Sequence, residues 1–103
     1  MDKNAAIKIS IAYLKKVRDC NIEFSQAWIF GSFAKGNNHE YSDIDLAIVL
    51  TNNSKTFDTE VKLMSLRTGE EIIIEPHPFN KDDFALDSPV VFQIMNTGLK
   101  IEA

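Results

Sequence analysis

Gly31-Ser32-Phe33-Ala34-Lys35-Gly36-Asn37-Asn38-His39-Glu40-Tyr41-Ser42-Asp43-Ile44-Asp45-Leu46-Ala47-Ile48-Val49-Leu50 is the stretch on which the fold turns. Its second half, Asp43 to Leu50, is the most strand-like segment of the chain. After Asp45 it is apolar on both faces, the pattern of a central strand covered on either side. The first half follows Ala27-Trp28-Ile29-Phe30, a short apolar run with aromatic and β-branched residues that reads as another buried strand, with Trp28 in the core. Gly31-Ser32 ends that run abruptly. Gly36, Asn37 and Asn38 leave room between Phe33 and Tyr41 for at most a short helix and a loop.

Outward toward the N-terminus, Asn4 to Val17 carries Ile7, Ile11, Leu14 and Val17 at helical spacing, with Asp2 or Asn4 as cap. Asp19 to Glu23 reads as its exit loop. Toward the C-terminus, Thr51-Asn52-Asn53-Ser54 is a turn cluster. Thr56 to Arg67 is predicted as a helix whose stripe is Phe57, Val61 and Met64, with Leu63 near its edge and Gly69 as the stop. Glu71-Ile72-Ile73-Ile74-Glu75 reads as a third strand, cut by Pro76 and Pro78. Ser88-Pro89 is an N-cap with proline at the first helical position, and Val90, Val91, Ile94 and Met95 make a last helix ending at Gly98. The order helix, strand, strand, helix, strand, helix predicts a small α/β (α+β) fold, one sheet flanked by helices.

The 103 residues are the length of one ordinary domain, and 45% hydrophobic with 25% charged is the balance of a globular chain. Eleven basic residues stand against fifteen acidic ones, a net charge of −4, which argues against strong nucleic-acid binding. Cys20 is the single cysteine and allows no intrachain disulfide, which fits a reducing cytoplasm. No apolar run approaches the roughly 20 residues of a membrane span, and no signal-peptide core follows Met1, so no membrane association is expected.

Three features carry chemistry. Gly31-Ser32 closes a buried strand. Glycine permits a tight turn, and a serine opening the next helical turn offers a hydroxyl and backbone N–H groups to a phosphate oxygen, although such a dipeptide also serves as an ordinary turn. In Asp43-Ile44-Asp45 the two carboxylates share one face of a strand, roughly 6–7 Å apart along it, and Ile44 turns into the core. Such a pair repels itself unless a cation lies between, and Mg²⁺ favours carboxylates together with phosphates. The alternative is a turn cap followed by a solvated strand start. Glu75 places a third carboxylate at a strand mouth. If that strand lies beside the Asp43 strand, Glu75 is a ligand or a general base; otherwise it is an exposed strand end. His77, two residues after Glu75, either touches phosphate or metal or, as a loop histidine between two prolines, is a surface residue; the surface reading is preferred for it and for His39 in the motif loop. Phe79 and Phe84 either pack the domain or form a partner surface.

Gly31-Ser32, ten residues, then Asp43-Ile44-Asp45 resembles the signature of the nucleotidyltransferase superfamily related to DNA polymerase beta. Gly-Ser-Phe-Ala-Lys-Gly…Tyr-Ser-Asp-Ile-Asp-Leu-Ala-Ile-Val is similar to its minimal branch, called MNT. The likeness extends over the leading helix, Ile74-Glu75-Pro76-His77-Pro78-Phe79, and Ser88-Pro89…Ile94…Gly98-Leu99-Lys100-Ile101. It implies a palm-like mixed sheet and a single minimal domain over 1–103. It implies nucleotide phosphates held by Gly31, Ser32, Lys35 and Ser42, and two Mg²⁺ ions on Asp43 and Asp45 with Glu75 as third carboxylate. Many members of the branch carry Arg where Lys35 stands, so the bidentate fork is lost here while the charge remains, and Lys35 either reaches the triphosphate or is a solvated loop lysine.

The resemblance further implies transfer of AMP from ATP to a hydroxyl. Members of the branch are commonly paired, as antitoxins, with a HEPN-domain toxin whose tyrosine they modify. The chain as given shows no second domain to hold an acceptor, so a protein partner or an oligomer is expected to complete the site. Two alternatives stand beside this: an antitoxin that neutralises by binding alone, and a small-molecule nucleotidyltransferase, such as one modifying an antibiotic. The intact trio Asp43, Asp45 and Glu75 favours the enzyme over the mask, and the missing acceptor domain disfavours the small molecule.

Overall fold

The computed structural model describes residues 1–39, 42–52 and 56–102. Its central strand is the segment of Ile44–Leu50, where every residue except Asp45 is buried. Such a strand needs neighbours on both edges for its backbone groups. Phe24–Phe30 (β1) pairs with it antiparallel and Ile74–Asn80 (β3) pairs parallel, so Ile44–Leu50 is β2. Leu99–Lys100 (β4) adds antiparallel to the far side of β1, giving a mixed sheet of order β3-β2-β1-β4. The helices are α1 (Lys3–Asp19), the short α2 (Ser32–Lys35), α3 (Thr56–Ser65) and α4 (Pro89–Thr97). No described helix is long and apolar enough to cross a membrane.

One face of the sheet carries the main core. Ala27 and Ile29 of β1, Ile44, Leu46, Ile48 and Leu50 of β2, and Ile74 of β3 pack there with α1, with Phe33 of α2 and with Leu63 of α3. Ala47 and Val49, the alternating residues of β2, are buried outside that cluster. So are Val91 and Ile94 of α4, which packs against β1. Ser88 caps α4 with Pro89 at its first turn, as the sequence predicts, whereas Val90 and Met95 turn outward.

The helix stripes differ from expectation. In α1, capped by Asp2, the buried residues are Ala6, Ser10, Tyr13, Leu14 and Val17, while Ile7 and Ile11 are half-buried. Small residues at positions 6 and 10 let the helix approach the sheet more closely than isoleucines would. In α3 the expected stripe is wrong: Leu63 is the buried residue, and Phe57, Val61 and Met64 are 73%, 53% and 43% exposed. The buried hydroxyl of Tyr13 donates to the Leu63 carbonyl and fixes which side of α3 faces inward. Trp28 is a further correction. It alternates away from Ala27 and Ile29, is half-exposed, and its indole N–H donates to Gln26 Oε1 at 3.0 Å.

The third strand also begins later than expected. Gly69–Ile73 is a 3₁₀ turn, and the strand runs Ile74–Asn80 through both prolines. β3 is an edge strand. Pro76 and Pro78, two residues apart, turn their nitrogens to the same unpaired side, where no ladder bond is lost. The Arg67 guanidinium covers that side, donating to the carbonyls of Ile72 and Ile74 at 2.9 and 3.0 Å.

The 3₁₀ turn is set by Thr68 and Glu71, which form a capping box. Lys16 of α1 reaches into it, donating to Leu66 O at 3.2 Å, Thr68 Oγ1 at 2.7 Å and Glu71 Oε1 at 2.6 Å. Burial pushes the Glu71 carboxyl up, but hydrogen bonds from Lys16 and Thr68 and the Lys16 charge together outweigh it and hold the group below its usual range. A carboxyl lowered on folding stabilises the protein above the ordinary glutamate range and loses that contribution as pH falls through it. Near neutral pH the wild type should therefore exceed Glu71→Gln by about 1–2 kcal/mol. Urea unfolding at a series of pH values should show the gap closing on acidification. A gap that persists unchanged at low pH would refute the assignment.

Candidate active site

β1 ends at Phe30, and the chain must turn at once for α2 to pack Phe33 into the core. Gly31 makes that turn at φ 76°, ψ −148°. A Cβ at this position would collide with the carboxylate of Asp45. The close approach explains why glycine precedes Ser32: the backbone of residue 31 is the wall against which Asp45 rests.

Strand register assembles the rest. Phe30 pairs with Asp45, and Asp45 pairs with Glu75, so the three lie side by side across β1, β2 and β3 on one face. The third strand does lie beside the Asp43 strand, on which the role of Glu75 depended. An open cleft of about 380 Å³ at this end of the sheet is lined by Ser32, His39, Ser42, Asp43, Asp45 and Glu75. Ser42 closes the motif loop by accepting the His39 N–H on its hydroxyl at 2.9 Å. Asp43 precedes β2, is exposed, and lines this cleft without joining the tightest group. Lys35 is exposed at the end of α2 and is not among the lining residues. Of the seven sequence candidates, five line the cleft, Gly31 backs it, and Lys35 stands apart.

The tightest group includes a residue expected at the surface. Asp45, Glu75 and His77 offer ligand atoms that all lie within 4.8 Å of one another. His77 Nε2 is 3.3 Å from Asp45 Oδ1 and 3.9 Å from Glu75 Oε1. Its ring packs on Phe30 with centroids 5.1 Å apart. The hydrogen bond with Asp45 raises the His77 pKa above the ordinary histidine value against the opposing pull of burial, and the charges of Asp45, Glu75 and Glu60 add to the rise. One signal in the sequence pointed here: residues two apart on a strand share a face, so once Glu75 is placed in the site His77 faces it too.

Three carboxylates around one cleft, one of them resting against Gly31, fit hard divalent cations, whose preferred donors are carboxylate oxygens and phosphates. The family model for polymerase beta nucleotidyltransferases matches residues 11–101. The chain belongs to that family. The matched region contains the whole described sheet and every cleft residue.

Solved structures share the fold. A Sulfolobus solfataricus protein assigned as a nucleotidyltransferase superposes with TM-score 0.64 at 20% identity, over 78% of this chain and 71% of that one. A toxin–antitoxin crystallised with AMP-PNP gives TM-score 0.56 at 20% identity, over 87% and 69%. A mutant of the toxin–antitoxin MntA-HpeT gives TM-score 0.56 at 17% identity, over 100% and 74%. No curated protein matches the chain.

Proposed function

We propose that this nucleotidyltransferase-family chain is an antitoxin that transfers AMP from ATP to a hydroxyl, a tyrosine, of a cognate HEPN-domain toxin, the new bond to the α-phosphate replacing the one to the β-phosphate and pyrophosphate leaving. The observation that carries the reading is the intact set of carboxylates: Asp45 and Glu75 in register on adjacent strands, with Asp43 in the same cleft. A domain that only masked its partner would have no use for like charges held this close. Two of the similar structures are toxin–antitoxin pairs, one with a nucleotide analogue. α3 turns Phe57, Val61 and Met64 to solvent, an apolar stripe of the kind a protein partner covers.

Asp43, Asp45 and Glu75 would hold Mg²⁺ ions, which supply charge neutralisation at the phosphates when bound. Ser32 presents its hydroxyl and the first N–H groups of α2 to the triphosphate, and Ser42 faces it across the cleft. Gly31 keeps the wall low enough for Asp45 to sit against it. Glu75 stands beside Asp45, where it also serves as base for the acceptor hydroxyl. Lys35 would approach the triphosphate only from outside the cleft. The acceptor and its oligomeric setting come from the partner.

Transfer of radiolabel from the α-phosphate of ATP into a co-purifying protein, lost in Asp45→Asn, is the expected result. A stable complex without label would replace the enzyme by a masking antitoxin, the reading that the same partner surface equally serves. Label found only in small molecules would refute both.

A further inference from the structure

We propose that His77 is a metal ligand of this cleft, and that the site consequently takes a first-row transition ion such as Mn²⁺ in preference to Mg²⁺; the inference rests on the reading of the cleft as a metal centre. His77 Nε2 stands 3.3 Å from one oxygen of Asp45 and 3.9 Å from one of Glu75. Donors each about 2.1 Å from one ion lie roughly 3.0 Å apart at a right angle and roughly 3.5 Å apart at the tetrahedral angle. Both separations are therefore those of donors around a common ion after small side-chain adjustments. The longest separation in the trio, up to 4.8 Å, asks for a modest closure of side chains that are half-buried or exposed.

The backbone aims the imidazole. Glu75 and His77 are two apart on β3 and turn to the face of Asp45, and Phe30, the register partner of Asp45, supports the ring. A histidine that merely neutralised a surface carboxylate would need one acceptor, whereas this nitrogen faces two. Two carboxylates and one imidazole form a mixed oxygen–nitrogen set. Mg²⁺ takes oxygen donors and keeps its waters; Mn²⁺ also favours carboxylate oxygens but, as a first-row transition ion, accepts an imidazole among them more readily than Mg²⁺ does. The opposing arrangement has the imidazole occupying the seat of the cation and leaving when the ion arrives.

The test uses the full chain without nucleotide. Mn²⁺ and Mg²⁺ are titrated by calorimetry into the wild type, His77→Ala, His77→Gln and Asp45→Asn, with circular dichroism as the check on folding. Losing an outer-shell partner weakens metal binding by about 10–100-fold, so losing a direct ligand should weaken Mn²⁺ by about tenfold or more in both His77 variants. Mg²⁺ affinity should change by less than about twofold. The electron spin-echo envelope of bound Mn²⁺ should carry modulation from a coordinated nitrogen in the wild type, a signature that a structural role would not produce. Unchanged Mn²⁺ affinity without nitrogen modulation would overturn the proposal. Tighter binding in His77→Ala would overturn it too, by showing that the ring competes with the ion. If Asp45→Asn loses both ions while the His77 variants bind normally, the metal-centre reading stands without His77. If the wild type binds neither ion, the metal-centre reading itself falls.

Discussion

Asp45→Asn is expected to lower nucleotidyl transfer by about a thousandfold or more, because a bound cation and its charge stabilisation are worth several kcal/mol of barrier. The fold should not suffer. Asn is isosteric, keeps an oxygen acceptor for His77 Nε2, and removes one of the like charges that face each other across the β2–β3 register. The pair with His77 is partly exposed on both sides, so its loss should change stability by no more than about 1 kcal/mol. Asp43→Asn should also abolish transfer, although Asp43 lies outside the tight trio. Rates from label transfer, set beside urea unfolding of the same preparations, check both halves of the claim. Retained transfer in both variants would refute the mechanism, and lost transfer with lost folding would leave Asp45 structural.

The central strand was legible because burial on both faces leaves a compositional mark: no polar residue interrupts Leu46 to Leu50. Gly31 was legible because only glycine suits such a turn. The edge strand was not. An apolar run, Ile72-Ile73-Ile74, and two prolines suggest a strand that stops, but an edge position makes proline harmless and the Thr68–Glu71 box winds the isoleucines into a 3₁₀ turn. Periodicity found a stripe on α3 without saying which surface covers it. Leu63 faces inward because the Tyr13 hydroxyl and β3 meet that side, and both contacts are long-range. His77 reads from the sequence as a surface residue before a metal or phosphate contact for a related reason. Its meaning depends on the β2–β3 register, which no local pattern encodes.

Gly31→Ala is expected to damage stability and activity through two separable causes. Gly31 and Gly36 have the same φ, 76°, but different ψ, −148° and 16°. The conformation of Gly36 is left-handed helical, and a Cβ there meets nothing within 4 Å, so Gly36→Ala should cost about 1 kcal/mol and leave transfer intact. Gly31 lies in a region almost reserved for glycine, at about 1–3 kcal/mol for any other residue, which corresponds to a melting temperature lower by about 5–20 °C. Its new Cβ also meets the Asp45 carboxylate, the far end of a side chain that can swing aside. Relief of the clash is therefore structurally cheap and chemically expensive, since Asp45 leaves its place beside Glu75. Transfer by Gly31→Ala should fall toward the level of Asp45→Asn at temperatures where both proteins are folded. The double variant separates this from a general loosening of the site. If Gly31 acts through Asp45, adding Asp45→Asn to Gly31→Ala lowers the rate little further, whereas independent effects would multiply.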